Sequence, residues 1–74
     1  MTTEKAIRKI MDARGERFMD VAEKMNMPTN TFSGRLKSKN ISIKKLNDIL
    51  SVLRYKIVLV PENEELKTNE YEIE

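Results

Sequence analysis

Thr29, Asn30, Ser33, Gly34 and Lys37 are spaced at i, i+1, i+4, i+5 and i+8. On a helix that spacing gathers them into one stripe. The stripe carries three short hydrogen-bonding side chains, one glycine and one lysine, and nothing apolar. Hydroxyls and a carboxamide offer both donors and acceptors. Short groups of that kind suit the base edges of a DNA major groove, with neighbouring basic residues reaching the phosphates. A plainer reading stands beside this one: Asn30 as a solvated turn residue, and Gly34 as an exposed glycine that costs its helix about 1 kcal/mol.

Positioning such a stripe needs a helix anchored on its other side, and Phe32 and Leu36, four apart, form that buried face. The preceding pattern FMDVAEKM sets Phe18, Val21, Ala22 and Met25 on one face, with Ala22 small enough for a close helix crossing. Its start is weakly capped, Asp20 in the first turn being the only help. Between the two patterns lies MNMPTN. Asn26 suits a left-handed position, Met27 can fold back onto the core, and Pro28 suits a helix start. The interruption therefore reads as a tight corner, Asn26 to Pro28, joining two helices along one apolar seam.

Upstream, EKAIRKIMDAR repeats at helical spacing through Ala6, Ile7, Ile10 and Met11. Thr3 is the expected N-cap, Glu4 suits the positive helix end, and Gly15 is the expected stop. Downstream, Ser42 is the expected N-cap of IKKLNDILSVL, with Ile41 and Leu46 as a hydrophobic staple. Its apolar face is read as Ile43, Leu46, Ile49, Leu50 and Leu53. YKIVLV then has the β-branched, aromatic character of a strand, which Pro61 closes.

With 74 residues the chain is one small domain. A chain of this size buries only about 60 % of its unfolded surface, so help from a partner subunit is expected. Histidine and cysteine are both absent, which removes disulfides and a zinc knot as stabilisers. The five methionines read as core filler rather than as ligands. Glu4, Lys5, Arg8 and Lys9 leave no room for a signal-peptide core, and the longest aliphatic run is Ile57 to Val60. A cytoplasmic protein without a membrane partner is the expectation. Residues 1–61 hold thirteen lysines and arginines against six acids, a net +7, whereas residues 62–74 hold one lysine and six glutamates, a net −5. From Arg35 to Lys45 there are five basic residues and no acid. A basic body suits a polyanion; ordinary solvated charge is the alternative.

The run VAEKMNMPTNTFSGRLKSKNISIKKLNDILSVL resembles the Cro/repressor-type helix-turn-helix family of phages and mobile elements. Val21-Ala22 and Phe32-Ser33 match its pattern, over a likeness covering roughly residues 4–54. Asn26 stands where that family usually has glycine, and Pro28 where serine is more frequent. The resemblance implies a mainly α, four- or five-helix repressor-like domain over residues 1–61. It implies base contacts from Thr29, Asn30, Ser33, Gly34 and Lys37, and phosphate contacts from Arg17, Lys39, Asn40, Ser42 and Lys44. Arg17, Lys39 and Lys44 also have a reading as plain surface charge.

A lone strand leaves its ladder groups unpaired and invites another chain. Residues 55–60 are therefore expected to pair antiparallel with a second copy, with Tyr55, Ile57, Val58 and Leu59 at the dimer interface. An intrachain hairpin with residues 66–73 is the alternative. Residues 62–74 read as an acidic, flexible tail; a sharper expectation is that their carboxylates contact the basic surface. The function expected is a sequence-specific transcriptional regulator, a repressor or autoregulator, that reads double-stranded DNA as a homodimer. The alternative is a protein-interaction module such as an antitoxin-like or anti-repressor subunit. Without histidine, cysteine, a glycine-rich phosphate loop or a carboxylate cluster outside the tail, no enzyme, cofactor, metal or small-molecule substrate is expected.

Overall fold

Four helices are joined by short turns in the computed structural model, which describes residues 1–73. They are α1 (Thr3–Arg14), α2 (Phe18–Lys24), α3 (Thr29–Lys37) and α4 (Ile43–Val52). Glu74, the last acid of the tail, lies outside the described residues. The domain is all-helical: among the described residues there is no strand, and none of the helices is long and apolar enough to cross a membrane.

α3 is the centre of the packing, lying against both α1 and α2. Phe32 and Leu36 project from it into a core of Ile7, Ile10, Val21, Ile49 and Leu53, all nearly or wholly excluded from water. Phe18 meets Phe32 edge-on, with centroids 5.6 Å apart and planes at 80°, the arrangement that ring quadrupoles favour. The Arg8 guanidinium lies 4.5 Å over the Phe18 ring while its Nε and Nη2 both donate to Glu4. Burying a side chain like Phe32 stabilises by about 3 kcal/mol at most.

Three of these helices stop by the same device. Gly15 (φ +66°), Asn26 (φ +59°) and Arg54 (φ +61°) are all left-handed. In each case the left-handed residue's N–H returns to the carbonyl three back, and the next N–H to the carbonyl five back. The pairs are Gly15 to Asp12 with Glu16 to Met11, Asn26 to Glu23 with Met27 to Ala22, and Arg54 to Ser51 with Tyr55 to Leu50. This double closure satisfies helix-end carbonyls that would otherwise lack partners. Glycine and asparagine at the first two were expected; an arginine in that conformation was not, because its Cβ disfavours it.

Several expectations need correction. The cap of α1 is Thr2, whose hydroxyl accepts from the Lys5 N–H at 3.2 Å, not Thr3. Met25 already belongs to the corner before α3, which runs over residues 25–28. Ile43 is 76 % exposed. It sits about 70° around the helix from the mean direction of Leu46, Ile49, Leu50 and Leu53, on the rim of the apolar face. Met19 is also exposed, so it is not core filler. The expected strand over residues 55–60 is absent from the isolated chain: no N–H or C=O from Lys56 to Val60 is hydrogen-bonded among the described residues.

Candidate functional site

The stripe on α3 is set by the two residues that anchor the helix. At about 100° per residue, the direction opposite the midpoint of Phe32 and Leu36 is that of Gly34. Asn30 and Lys37 flank it on one side, and Thr31 on the other. Thr29, Asn30, Thr31, Gly34 and Lys37 are exposed, whereas Ser33 is half-buried at the edge. Thr31 was missed by the spacing argument, although a helical wheel centred on the Phe32–Leu36 seam would have found it.

Gly34 crowns this face with open space around it: a Cβ built there meets nothing within 4 Å. Neither packing nor left-handed backbone demands glycine at that position. Asn30 turns inward, its Oδ1 accepting from the Thr31 N–H at 2.9 Å, while its side-chain NH₂ remains available to donate. α3 begins after Pro28 without a side-chain cap from that residue, and with the Thr31 N–H taken by Asn30 the N–H groups of Thr29 and Asn30 are those left at its start. Its last turn carries Arg35 and Lys37, and unlike the other helices it ends without a left-handed residue, at Ser38 with φ −66° and ψ 129°.

The flanking residues expected to meet phosphate are all at the surface: Arg17, Lys39, Asn40, Ser42 and Lys44. Ser42 caps α4, its Oγ accepting from the Lys45 N–H at 3.2 Å; its own proton is still free to donate. Asn40 is held in the connecting turn by its N–H donating to Ser38 Oγ at 3.4 Å. Arg17 stands before α2, where its N–H donates to Asp20 Oδ2 at 3.1 Å and its Nε to the same oxygen at 3.3 Å. These bonds hold the Asp20 carboxyl below the usual carboxylate range, the backbone N–H contributing most. The start of α2 is thus better secured than its sequence promised. Among the described residues from Arg35 to Lys45, none of the basic side chains is ion-paired.

The residues expected at a dimer interface divide in two. Tyr55 is half-buried, packed on the core and 6.3 Å from the Tyr71 ring. Ile57, Val58 and Leu59 are exposed, Leu59 to 99 %. The glutamates of residues 62–73 form no ion pair with lysine or arginine among the described residues. Among the described residues the expected contact between tail and basic surface is not made. The tail instead returns toward α1, where the Met1 ammonium donates to the Glu72 carbonyl at 3.1 Å. No family model matches the chain, and neither curated proteins nor solved structures yielded a significant match.

Proposed function

We propose that the chain is a sequence-specific DNA-binding regulator of helix-turn-helix type, a repressor or autoregulator acting as a homodimer. α3 lies in the major groove in this reading. Asn30, Gly34 and Lys37 face base edges, with Ser33 at the margin and Thr29 reaching in from the first turn, about 140° around the helix from Gly34. Arg17, Lys39, Asn40, Ser42 and Lys44 reach phosphates on either side. The observation that carries the reading is the polar, glycine-centred outer face of a helix whose inner face is locked by Phe32 and Leu36. Unpaired cations from Arg35 to Lys45 support it, since phosphate neutralisation needs charges not already neutralised within the protein.

Two copies paired through residues 55–60 would present two such helices to half-sites about 34 Å apart on one side of a duplex. Binding to an approximately palindromic site should weaken steeply with salt. Asn30→Ala and Lys37→Ala are expected to reduce discrimination between operator and random duplex. A lost base contact is worth about 1–3 kcal/mol. The check is competition gel-shift on a site selected from random DNA; operator binding unchanged in both variants would refute the assignment of α3. A second reading, a protein-interaction module, draws on the exposed Ile57, Val58 and Leu59. Gel-shift against genomic fragments separates the two.

A further inference from the structure

The C-terminal segment does something that neither a flexible tail nor a paired strand accounts for. A groove of about 530 Å³ runs beside the helical body. One wall is Ile7 and Ile10 of α1 with Leu46 and Leu50 of α4, and the other is built from the chain after α4. Ile57, Val58 and Val60 and the returning residues Leu66, Tyr71 and Ile73 contribute to that second wall. Tyr71 packs against the core. It is tied to Tyr55 by ring contact, and the Tyr55 hydroxyl donates to the Asn69 carbonyl at 3.1 Å. Its fastenings among the described residues include the packing of Tyr71, one aromatic pair, that hydrogen bond and the bond from Met1 to Glu72.

We infer that residues 66–73 form an intramolecular strap over an interaction surface whose partner is the apolar segment 56–60 of a second copy, so that closing the strap and self-association compete for one groove. This rests on the dimer part of the proposed function but not on DNA recognition. Removing the strap would leave the apolar wall of α1 and α4 facing water, so the open form requires another cover. The segment best suited to it is already displayed. Ile57, Val58, Leu59 and Val60 are at least two-fifths exposed, and the backbone of Lys56 to Val60 has no hydrogen-bond partner among the described residues. Charge selects a copy of the same chain. Arg54 and Lys56 stand at one end of the segment and Glu62, Glu64 and Glu65 just beyond the other, so two copies laid antiparallel bring opposite charges together at both ends.

The strap makes the dimer weaker than its apolar surface alone would make it, and keeps the monomer's groove from collecting unrelated chains. Its test is sedimentation equilibrium of the full chain and of Tyr71→Ala, Ile73→Glu and Leu59→Glu across the micromolar range, with circular dichroism to show that each is folded. Tyr71→Ala should tighten self-association by about three- to tenfold, the range spanned by a lost aromatic pair. Ile73→Glu should act in the same direction, while Leu59→Glu should abolish association without disturbing the monomer, where this side chain touches nothing to speak of. If wild type associates and neither strap variant tightens it, the competition is refuted. Association by Leu59→Glu equal to wild type refutes the segment named as partner. If all four proteins stay monomeric, the dimer reading fails and the strap proposal with it, and the gel-shift separately decides DNA binding.

Discussion

The corner before α3 and the segment after α4 are similar in length and both interrupt apolar patterns, yet they are built in opposite ways. At residues 25–28 the left-handed Asn26 closes two hydrogen bonds, Met27 folds onto the core and Pro28 starts the next helix. Each feature is complete within a few residues. From Ile57 to Val60 the side chains are apolar but exposed, and the backbone is unpaired among the described residues. The difference teaches where each segment's energy comes from. The corner is stabilised by local closures and by the seam it joins, whereas the segment after α4 needs chain from elsewhere to complete it.

The largest expected effect breaks this comparison at its two apolar ends. Phe32→Ala removes a fully buried ring beside Phe18 and should cost about 3–5 kcal/mol. A domain of this size has only about 4–11 kcal/mol of total stability. The variant should therefore lose a large share of its stability and melt well below wild type. Leu59→Ala, at a position 99 % exposed, should change monomer stability by no more than about 0.5 kcal/mol. Urea denaturation at a concentration that keeps the protein monomeric reads both. A loss above 2 kcal/mol at Leu59, on the scale of a buried leucine, would show that residues 55–60 are integrated into the monomer.

That contrast also explains how much could be read from sequence. Gly15, Asn26 and Ser42 announced their places because each residue type is selected by a local backbone need: a left-handed φ for the first two, a hydroxyl cap for the third. Phe32 and Leu36 identified α3 by spacing alone. Arg54 gave no such signal, since its left-handed conformation follows from Tyr55 being drawn back to Leu50, and arginine itself does not favour it. The return of residues 66–73 was open in the sequence only as a hairpin with residues 55–60, not as a wall of the groove beside α1 and α4. Leu66, Tyr71 and Ile73 alternate with nothing and reach the groove only through long-range contact. At the candidate interface, Thr31 was missed and Ser33 overvalued because five spacings were read as a stripe without locating its centre.

A sharper comparison concerns the two non-glycine left-handed positions. Asn26→Ala should destabilise, because alanine tolerates that conformation poorly; about 1 kcal/mol is expected. Arg54→Gly should stabilise by about the same amount, as glycine relieves the Cβ conflict at a helix end. Each corresponds to a shift in midpoint of about 4–8 °C for a domain of this size. Thermal melts at matched concentration test the pair. Stabilisation by Asn26→Ala would show that the corner is not held by its left-handed residue.

Gly34 separates stability from function on the same helix. Gly34→Ala adds a methyl where nothing lies within 4 Å, so it should stabilise α3 by about 1 kcal/mol. If α3 approaches base edges as proposed, the same methyl stands between backbone and groove, and operator affinity should fall while the melting temperature rises. A variant that is both more stable and equally able to bind would mean that glycine is merely tolerated at this position.

The smallest effect concerns the entry to α2. Asp20 Oδ2 accepts from both the N–H and the Nε of Arg17, which lowers its pKa in the folded chain. A carboxylate favoured in the native state binds its proton more weakly there than in the unfolded chain. Its contribution is therefore full above the ordinary aspartate range, near about 3.9, and is lost as pH falls through the lower native value. Asp20→Ala should melt earlier than wild type at neutral pH, and the two curves should draw together in acid. Asp20→Asn retains an acceptor for the Arg17 N–H without the charge, so it should fall between them at neutral pH. A gap between wild type and Asp20→Ala that persists unchanged below the native pKa would show that the carboxylate's charge is not its source, and α2 would then begin as unaided as its sequence suggests.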